Sequence, residues 1–270
     1  MKEYTKILSI AGSDSGGGAG IQADIKTISA LGGYASTAIT AITAQNTVGV
    51  NDVLTLDGQM VEAQIRSVMD DIGADAVKIG MLSSEAIVCC VANALRGYIE
   101  RGVIRFVVLD PVLVATSGDQ LSGDDVIGAM VKHLFPLCTL LTPNIPEAER
   151  LTGMSLKEDG AERIAQRLIE MGAPAVLIKG GHNPHEGVVR DRLYTADGYY
   201  EFQAPFYDTP NKHGTGCSLS SAIATLLAQG LPLREATQGA IEYVGEAIKA
   251  ASEYTIGKGH GPIKHFYRVW

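Results

Sequence analysis

Several features that mark large classes of proteins are scarce in this sequence of 270 residues. Aromatic residues make up only 6%, and 22 basic residues stand against 30 acidic ones, which gives a formal net charge of −8. A chain without an excess of basic residues has no broad electrostatic footprint for nucleic acid or for an anionic membrane surface. The composition therefore favours a small molecule as the partner.

Long hydrophobic runs are also missing. The apolar run at residues 7–11 is too short for the core of a signal peptide, and no later run approaches the length of a membrane span. From the sequence we therefore expect a cytoplasmic protein that neither binds nucleic acid nor inserts into a membrane.

The four cysteines, Cys89, Cys90, Cys138 and Cys217, form neither a CxxC pair nor a His/Cys cluster with zinc spacing. The sequence thus gives no indication of a disulfide framework or of a zinc site. Three of these cysteines lie in apolar stretches and are interpreted as packed small hydrophobic residues. Cys217 lies in a different setting, described below.

The sequence does contain a regular alternation of short apolar runs and longer amphipathic ones. Strands are predicted at residues 6–11, 34–43, 75–80, 105–110, 138–143 and 174–180. Helices are predicted near residues 19–31, 58–72, 84–101, 123–135, 144–152, 157–171, 215–230 and 232–253. This alternation predicts one α/β domain over residues 1–270, with a mostly parallel sheet between two layers of helices. Two runs that flank Asp197 and Gly198 predict an added hairpin.

Ligands of such sheets bind beyond the carboxyl ends of the strands, where loops lead into helices. The first loop of this kind is "GSDSGGGAG", Gly12–Gly20. Its glycines fit the G-x-G-x-x-G dinucleotide fingerprint poorly, so a dinucleotide site is disfavoured. The loop could bind another ligand, or it could be a strand-to-helix turn that binds none. Asp14 in the loop and Asp24 in the following helix are candidates to accept hydrogen bonds from a polar substrate.

Amide side chains end the second predicted strand, at Gln45 and Asn46. An amide both donates and accepts hydrogen bonds, as recognition of a heterocycle edge requires. For Asn46, a turn stabilised by its own side chain is an equally good explanation. Gln45 is therefore the stronger candidate for a substrate contact.

Polar residues also follow the later strands. Asp110 and Glu147 are oxygen ligands of the kind that suit Mg²⁺ with its waters and phosphates. Asn144 lies one turn before Glu147, where helix capping alone would explain it. Lys179 is a candidate phosphate contact, and a lysine that extends from a strand end to solvent is the alternative.

The stretch "HGTGCSLSSAIA" places Gly214, Thr215, Gly216 and Cys217 at the start of a predicted helix. Backbone N–H groups at a helix N-terminus form an anion site, which suits a phosphate or a phosphoryl group in transfer. A helix start also lowers the pKa of a thiol, so Cys217 is a candidate base. The residues thus predict an α/β enzyme that handles phosphate.

Seven stretches, "IAGSDSGGGAGIQADIKT", "TAITAQNT", "VKIGMLSS", "LDPV", "TPNIPEAE", "IKGGH" and "HGTGCSLSSAIA", occur in one order along nearly the whole chain. In this order the chain resembles the bacterial hydroxymethylpyrimidine/phosphomethylpyrimidine kinases of thiamin biosynthesis. The resemblance implies a ribokinase-like three-layer fold with a small flap. It also implies two successive phosphorylations, of 4-amino-5-hydroxymethyl-2-methylpyrimidine and then of its monophosphate, with ATP and Mg²⁺.

The resemblance further implies roles for single residues. Pyrimidine contacts would be Gly12, Asp24, Gln45, Met81 and Val108. Asp110 and Glu147 would organise Mg²⁺, Asn144 and Lys179 would lie near the nucleotide phosphates, Gly214–Cys217 would form the anion hole, and Cys217 would be the base. Kinases with this fold often pair through a sheet edge, so we expect a homodimer.

Three positions depart from the pattern of these kinases. Thr116 replaces a lysine, Lys212 replaces a threonine, and residues 238–243 lack a lysine. Two other functions remain possible. One is a pyridoxal or pyridoxine kinase, against which Gln45 argues, and the other is a pyrimidine-binding protein without catalysis.

Overall fold

The computed structural model describes residues 3–113, 123–181 and 187–270. Within these ranges the strands are β1 (Lys6–Asp14), β2 (Tyr34–Gln45), β3 (Val50–Thr55), β4 (Ala76–Ile79), β5 (Phe106–Leu109), β6 (Leu140–Leu141), β7 (Val176–Ile178), β8 (Val188–Thr195) and β9 (Gly198–Pro205). The helices are α1 (Gly20–Ala30), α2 (Gly58–Asp71), α3 (Glu85–Glu100), α4 (Asp124–His133), α5 (Ile145–Thr152), α6 (Leu156–Glu170), α7 (Thr215–Ala228) and α8 (Leu233–Ala251).

The strands form one sheet in the order β3-β2-β1-β4-β5-β6-β7-β8-β9. The six strands from β2 to β7 in this order pair in parallel, whereas β3, β8 and β9 pair antiparallel. Every residue of β4, β6 and β7 is buried. Parallel strands that are covered on both faces have continuous apolar sequences, which is why these strands were recognisable.

Two apolar layers hold the helices against the sheet. One layer contains Val77, Leu95 and Leu168 and lies under α2–α6. The other contains Ile7, Ile223 and Ala240 and lies under α1, α7 and α8. The predicted α/β architecture, a mostly parallel sheet between two helical layers, is therefore confirmed.

The flanking elements match the predictions less evenly. The predicted hairpin is confirmed as β8 and β9, which are joined at Asp197 and Gly198. The edge strand β3 was not predicted, because five of its six residues are exposed and no alternation of apolar and polar residues marks it. Helix α6 is interrupted at Gly160, which has a φ of 80°. Among the described helices, none is both long and apolar enough to cross a bilayer.

The fold brings the carboxyl ends of several strands to the N-terminus of one helix. Helix α7 packs against β1, β4 and β5. Its residue Gly216 lies next to Asp110, the residue that follows β5, because a Cβ at Gly216 would be 3.6 Å from Asp110 Oδ2. Two of the predicted site residues, Gly216 and Asp110, are therefore brought together at one edge of the sheet.

Candidate active site

The loop after β1 is organised by the carboxylate of Asp14. Its Oδ1 accepts a hydrogen bond from Gly16 N at 2.8 Å, and its Oδ2 accepts from Gly18 N at 3.0 Å and from Ala19 N at 2.8 Å. Burial raises the pKa of Asp14, but hydrogen bonds from His213 and from the backbone outweigh burial and hold the pKa below its usual value. Asp14 therefore holds its own loop in place, and its expected hydrogen bond with a substrate is at odds with this role.

Three of the predicted substrate contacts border the glycine loop. A Cβ at Gly12 would lie 3.2 Å from Met81 Sδ, so these two residues are neighbours at the ends of β1 and β4. The carbonyl oxygen of Gln45 accepts a hydrogen bond from Ser15 Oγ at 2.7 Å. Gly12, Met81 and Gln45 are thus brought to one loop, and their contact with a pyrimidine remains a prediction.

Asp24 lies beneath the loop in a buried ion pair with Lys78. Lys78 Nζ is 2.9 Å from both carboxylate oxygens, and both side chains are 0% exposed. Ser9 Oγ and Ser221 Oγ donate further hydrogen bonds to the carboxylate at 2.6 and 2.7 Å. The predicted contact of Asp24 with a pyrimidine is at odds with this burial, since four hydrogen bonds from the protein already occupy its oxygens.

Lys78 was not among the predicted site residues. Burial lowers the pKa of Lys78, but the charges of Asp24, Cys217 and Asp110 and the hydrogen bond with Asp24 together outweigh burial and raise the pKa, so the ammonium group stays charged. A Cβ at Gly80 would lie 2.7 Å from Lys78 Nζ, which makes glycine the residue that fits beside the ammonium group. A fixed positive charge therefore lies under the site.

Val108 does not reach the site surface. It is 0% exposed and packs in the apolar layer under α7 and α8, with Leu140, Leu219 and Ile223. Its predicted contact with a pyrimidine is thus at odds with its position in the core.

The start of α7 is packed against the glycine loop. Gly214 caps the helix with a φ of 81°, and a side chain there would overlap the carbonyl group of Gly18. The first N–H groups of an α-helix have no partner within the helix, so they are available to an anion. Of the predicted donors, Thr215 N is in a 3.3 Å hydrogen bond with Lys212 O. A Cβ at Gly216 would lie 3.3 Å from Lys179 Nζ, so the ammonium group of Lys179 also lies at this end of the site.

Asp110, Glu147 and Lys179 form a buried charged cluster beside α7. Lys179 Nζ is 2.7 Å from Asp110 Oδ1 and 3.9 Å from Glu147 Oε2. Burial raises the pKa of Glu147 to about 7, because the nearby charge of Asp110 adds to burial while Lys179 opposes it only in part. Burial also lowers the pKa of Lys179, but the two carboxylates outweigh burial and raise it.

Asn144 begins α5 and forms a capping box. Its Oδ1 accepts a hydrogen bond from Glu147 N at 2.9 Å, and Glu147 Oε2 accepts one from Asn144 N at 2.8 Å. Asn144 also forms a parallel β-bridge with Lys179. The capping explanation is therefore confirmed. The cap also places Asn144 beside Glu147 and Lys179, two members of the charged cluster.

The donor set of this cluster fits a magnesium ion. The described residues contain no group of three or more His, Cys, Asp or Glu side chains that could hold a metal. Mg²⁺ in phosphate-transfer sites needs only one or two carboxylates, because waters and substrate phosphates complete its coordination. Asp110 and Glu147 supply two carboxylates, and both already approach the single ammonium group of Lys179.

Cys217 lies in the first turn of α7 and is a free thiol of intermediate exposure. Burial raises the pKa of Cys217 to about 11. The positive charge of Lys78 lowers this pKa, but the negative charges of Asp24 and Asp110 raise it. The expectation of a lowered pKa is therefore wrong, since burial and the two carboxylates outweigh the charge of Lys78 and the backbone hydrogen bond from Gly20.

His213 and the segment of residues 257–265 were not among the predicted site residues. His213 Nε2 is 3.0 Å from Asp14 Oδ2 and 3.3 Å from Gln45 Nε2. Its backbone N–H donates to Gly261 O at 3.0 Å, and His260 N donates to Thr47 O at 2.8 Å. The late segment thus closes over the glycine loop and the end of β2, by contacts too distant in sequence to leave a local signal.

The three departures from the family pattern have different outcomes. Lys212 Nζ lies 4.0 Å from the centroid of the Phe206 ring, a cation–π contact that accounts for this lysine. Gln238 Nε2 donates to Glu242 Oε1 at 2.7 Å on the exposed surface of α8. Thr116, the remaining departure, lies outside the described residues.

Comparisons with known proteins agree with this arrangement. The phosphomethylpyrimidine kinase family matches residues 14–264. A hydroxymethylpyrimidine/phosphomethylpyrimidine kinase of Rhizobium meliloti is 48% identical, with 97% of each chain covered.

Two solved structures extend the similarity to the fold. A phosphomethylpyrimidine kinase of Clostridium difficile is 40% identical with a TM-score of 0.78, over 90% of this chain and 99% of that one. A pyridoxal kinase of Staphylococcus aureus in complex with pyridoxal is 31% identical with a TM-score of 0.87, over 99% of this chain and 96% of that one. On sequence and fold together, the chain belongs to the phosphomethylpyrimidine kinase family.

Proposed function

We propose that this chain transfers a phosphoryl group from ATP to the hydroxymethyl group of 4-amino-5-hydroxymethyl-2-methylpyrimidine. We further propose that it phosphorylates the product to the diphosphate, as a step of thiamin biosynthesis. The observation that carries this proposal is the direct link between Gln45 and the start of α7. His213, which immediately precedes Gly214, contacts Gln45. A group able to read a heterocycle edge thus lies next to an anion site.

The phosphate end of the site accounts for the transfer chemistry. Phosphoryl transfer depends mainly on positioning and on neutralising the charge of the transferred group. Two positive groups at the start of α7 can neutralise that charge. They are the partial positive charge of the backbone N–H groups and the ammonium group of Lys179, which lies near Gly216. Use of ATP agrees with membership of a kinase family and with the complex of the Staphylococcus aureus pyridoxal kinase with AMP-PCP and pyridoxal.

Asp110 and Glu147 are the residues that we propose to hold Mg²⁺ and its waters. A bound magnesium ion would neutralise the nucleotide phosphates. Both carboxylates approach the ammonium group of Lys179, whose positive charge offsets part of their negative charge. Asn144 fixes the backbone at Glu147 through the capping box and thereby fixes the position of one carboxylate.

Cys217 is the group that we propose to accept the proton of the substrate hydroxyl. With a pKa raised to about 11, the thiolate is a strong base but is scarce at neutral pH. The charge of Lys78 favours the thiolate, whereas the charges of Asp24 and Asp110 oppose it, so the two members of the buried ion pair act on this pKa in opposite directions. A loose transition state requires little proton removal before the phosphoryl group moves, which suits a base of this kind.

Pyridoxal kinase is the second candidate activity, since the fold closely matches a pyridoxal kinase that was solved with pyridoxal. The decisive experiment is a panel of 4-amino-5-hydroxymethyl-2-methylpyrimidine, its monophosphate and pyridoxal with ATP and Mg²⁺, scored for each phosphorylated product. Two phosphorylations of the pyrimidine are expected. A strong preference for pyridoxal, or pyrimidine binding without turnover, would overturn the proposal.

We also propose a cytoplasmic homodimer with a single kinase domain. Strand β3 is the last strand at its side of the described sheet, and large apolar side chains near it are exposed. These are Ile42 at 46%, Val48 at 66%, Leu54 at 63% and Met60 at 56%. Such an edge favours pairing with a second copy. Leu54→Glu is expected to shift the mass measured by light scattering from two chains to one, whereas a monomeric wild type would refute the dimer.

A further inference from the structure

The side-chain amide of Gln45 lies between two groups whose hydrogen-bonding roles are fixed by other partners. On one side, Gln45 Oε1 is 3.1 Å from Thr43 Oγ1. On the other, Gln45 Nε2 is 3.3 Å from His213 Nε2. Because the oxygen and nitrogen of an amide occupy nearly the same volume, rotation by 180° exchanges them without moving any neighbour. The proton positions of the two neighbours decide between the two orientations.

The hydroxyl group of Thr43 has one proton and already has an acceptor for it. Thr43 Oγ1 lies 3.0 Å from the carbonyl oxygen of Ser13, which can only accept. The proton therefore goes to Ser13, and the hydroxyl turns a lone pair toward Gln45. A lone pair requires a donor opposite it, so the amide nitrogen belongs on the Thr43 side.

The ring of His213 leads to the same orientation from the other side. His213 Nε2 lies 3.0 Å from Asp14 Oδ2, an oxygen that also accepts from two backbone N–H groups. A carboxylate with a lowered pKa is ionised and can only accept, so Nε2 must carry a proton. That N–H also faces the amide of Gln45, where a second donor would oppose it. The amide oxygen therefore belongs on the His213 side.

We propose that His213 is a positioning residue that fixes the amide of Gln45 with its oxygen toward the start of α7 and its nitrogen toward Thr43. This inference rests on the proposed function. In the aminopyrimidine, the ring carbon with the amino group lies between a ring nitrogen and the carbon with the hydroxymethyl group. The oxygen of Gln45 then accepts from the amino group, and its nitrogen donates to the ring nitrogen.

This orientation also determines where the reacting group lies. The amino group is placed on the His213 side, and His213 precedes Gly214 in the chain. The neighbouring hydroxymethyl group is therefore directed toward the anion site and Cys217. In pyridoxal, the group next to the hydroxymethyl is an aldehyde, which only accepts hydrogen bonds. The fixed oxygen of Gln45 would face that acceptor, so the same arrangement selects against pyridoxal.

A measurement on the free protein tests the orientation without relying on activity. Glutamine side chains are labelled with ¹⁵N, and the signal of Gln45 is assigned by its loss in Gln45→Glu. We expect nuclear Overhauser contacts from the amide protons to the methyl group of Thr43. Contacts to the ring protons of His213 in place of Thr43 would overturn the inference, whatever the substrate of the enzyme.

Kinetics with matched variants test the consequence for the substrate. His213→Met removes the donor, whereas His213→Gln retains an N–H near the position of Nε2. We expect His213→Met to raise the KM for the aminopyrimidine about three- to tenfold, the range for one neutral hydrogen bond, and to leave the KM for ATP unchanged. His213→Gln is expected to restore the KM.

An analogue without the amino group distinguishes positioning from general damage. Its KM is expected to be equal in wild type and His213→Met, because the lost hydrogen bond involves the amino group. Equal increases for the analogue, the aminopyrimidine and ATP would show a structural role and overturn the inference. If the aminopyrimidine is not phosphorylated at all, the proposed function fails, while the nuclear Overhauser contacts still decide the orientation of Gln45.

Discussion

The buried pair of Lys78 and Asp24 makes a strong prediction about stability. In Lys78→Met, the carboxylate of Asp24 keeps its hydrogen bonds from Ser9 and Ser221 but loses the ammonium group that lies 2.9 Å from both oxygens. Both side chains of the pair are 0% exposed, so water cannot replace the lost partner. Removal of one member of such a pair costs ~3–5 kcal/mol.

The measurement is the free energy of unfolding from urea titrations followed by far-ultraviolet circular dichroism. A matched control is Arg66→Met, which breaks the exposed pair with Glu62, whose side chains are 56% and 42% exposed. The control is expected to change the unfolding free energy by less than ~1 kcal/mol.

The double variant Lys78→Met with Asp24→Asn distinguishes two causes of lost stability, the unpaired charge of Asp24 and the changed volume of the side chain at position 78. It contains no buried charge at this place, so it is expected to recover most of the stability lost in Lys78→Met. The reasoning is refuted if Lys78→Met is no less stable than the surface control. It is also refuted if the double variant loses as much stability as both single changes together.

Three further predictions concern the chemistry and geometry of the site. Cys217→Ala is expected to lower kcat more than a hundredfold with little change in substrate Kd, the range for a lost general base; full activity would remove the base role. Glu147 has its pKa raised from 4.5 to about 7, so its contribution to stability is complete below pH 4.5 and is lost as the pH rises through 7. Urea titrations across this range should show a loss of up to ~3 kcal/mol in wild type but not in Glu147→Gln, and parallel curves would contradict the raised pKa. In Gly214→Ala, a Cβ must be accommodated against Gly18 by a residue with a φ of 81°. The control is Gly245→Ala, because open space surrounds that position in α8. Gly214→Ala is expected to lower both stability and kcat, and Gly245→Ala to stabilise by up to ~1 kcal/mol; equal thermal midpoints would contradict the close packing.

The sequence predicted the parts of the fold that follow local rules. The buried parallel strands and the hairpin at Asp197 and Gly198 were recognisable from apolar runs and turn residues. Strand β3 was not, because an exposed edge strand needs no apolar face. For Asn144 the sequence left helix capping and a place near the phosphates as alternatives. The structure shows that this residue caps α5 and also lies beside Lys179.

The missed site residues depend on contacts between distant parts of the chain. Lys78 is 54 residues from Asp24, and His213 is 199 residues from Asp14. The pKa of Cys217 was predicted with the wrong sign because the helix start is local, whereas burial and the charges of Asp24 and Asp110 arise from the whole fold. Sequence patterns thus identified the strand ends and glycine loops, and tertiary contacts determined the charges.

The closing segment of residues 257–265 has a consequence for the order in which the enzyme is made. The backbone of Thr47 at the end of β2 and that of His213 before α7 are both bonded to this segment, through His260 and Gly261. On the ribosome, the sheet and most helices can form while these last contacts are still missing. A chain whose core has formed would therefore lack a finished site until residues 257–265 add these contacts.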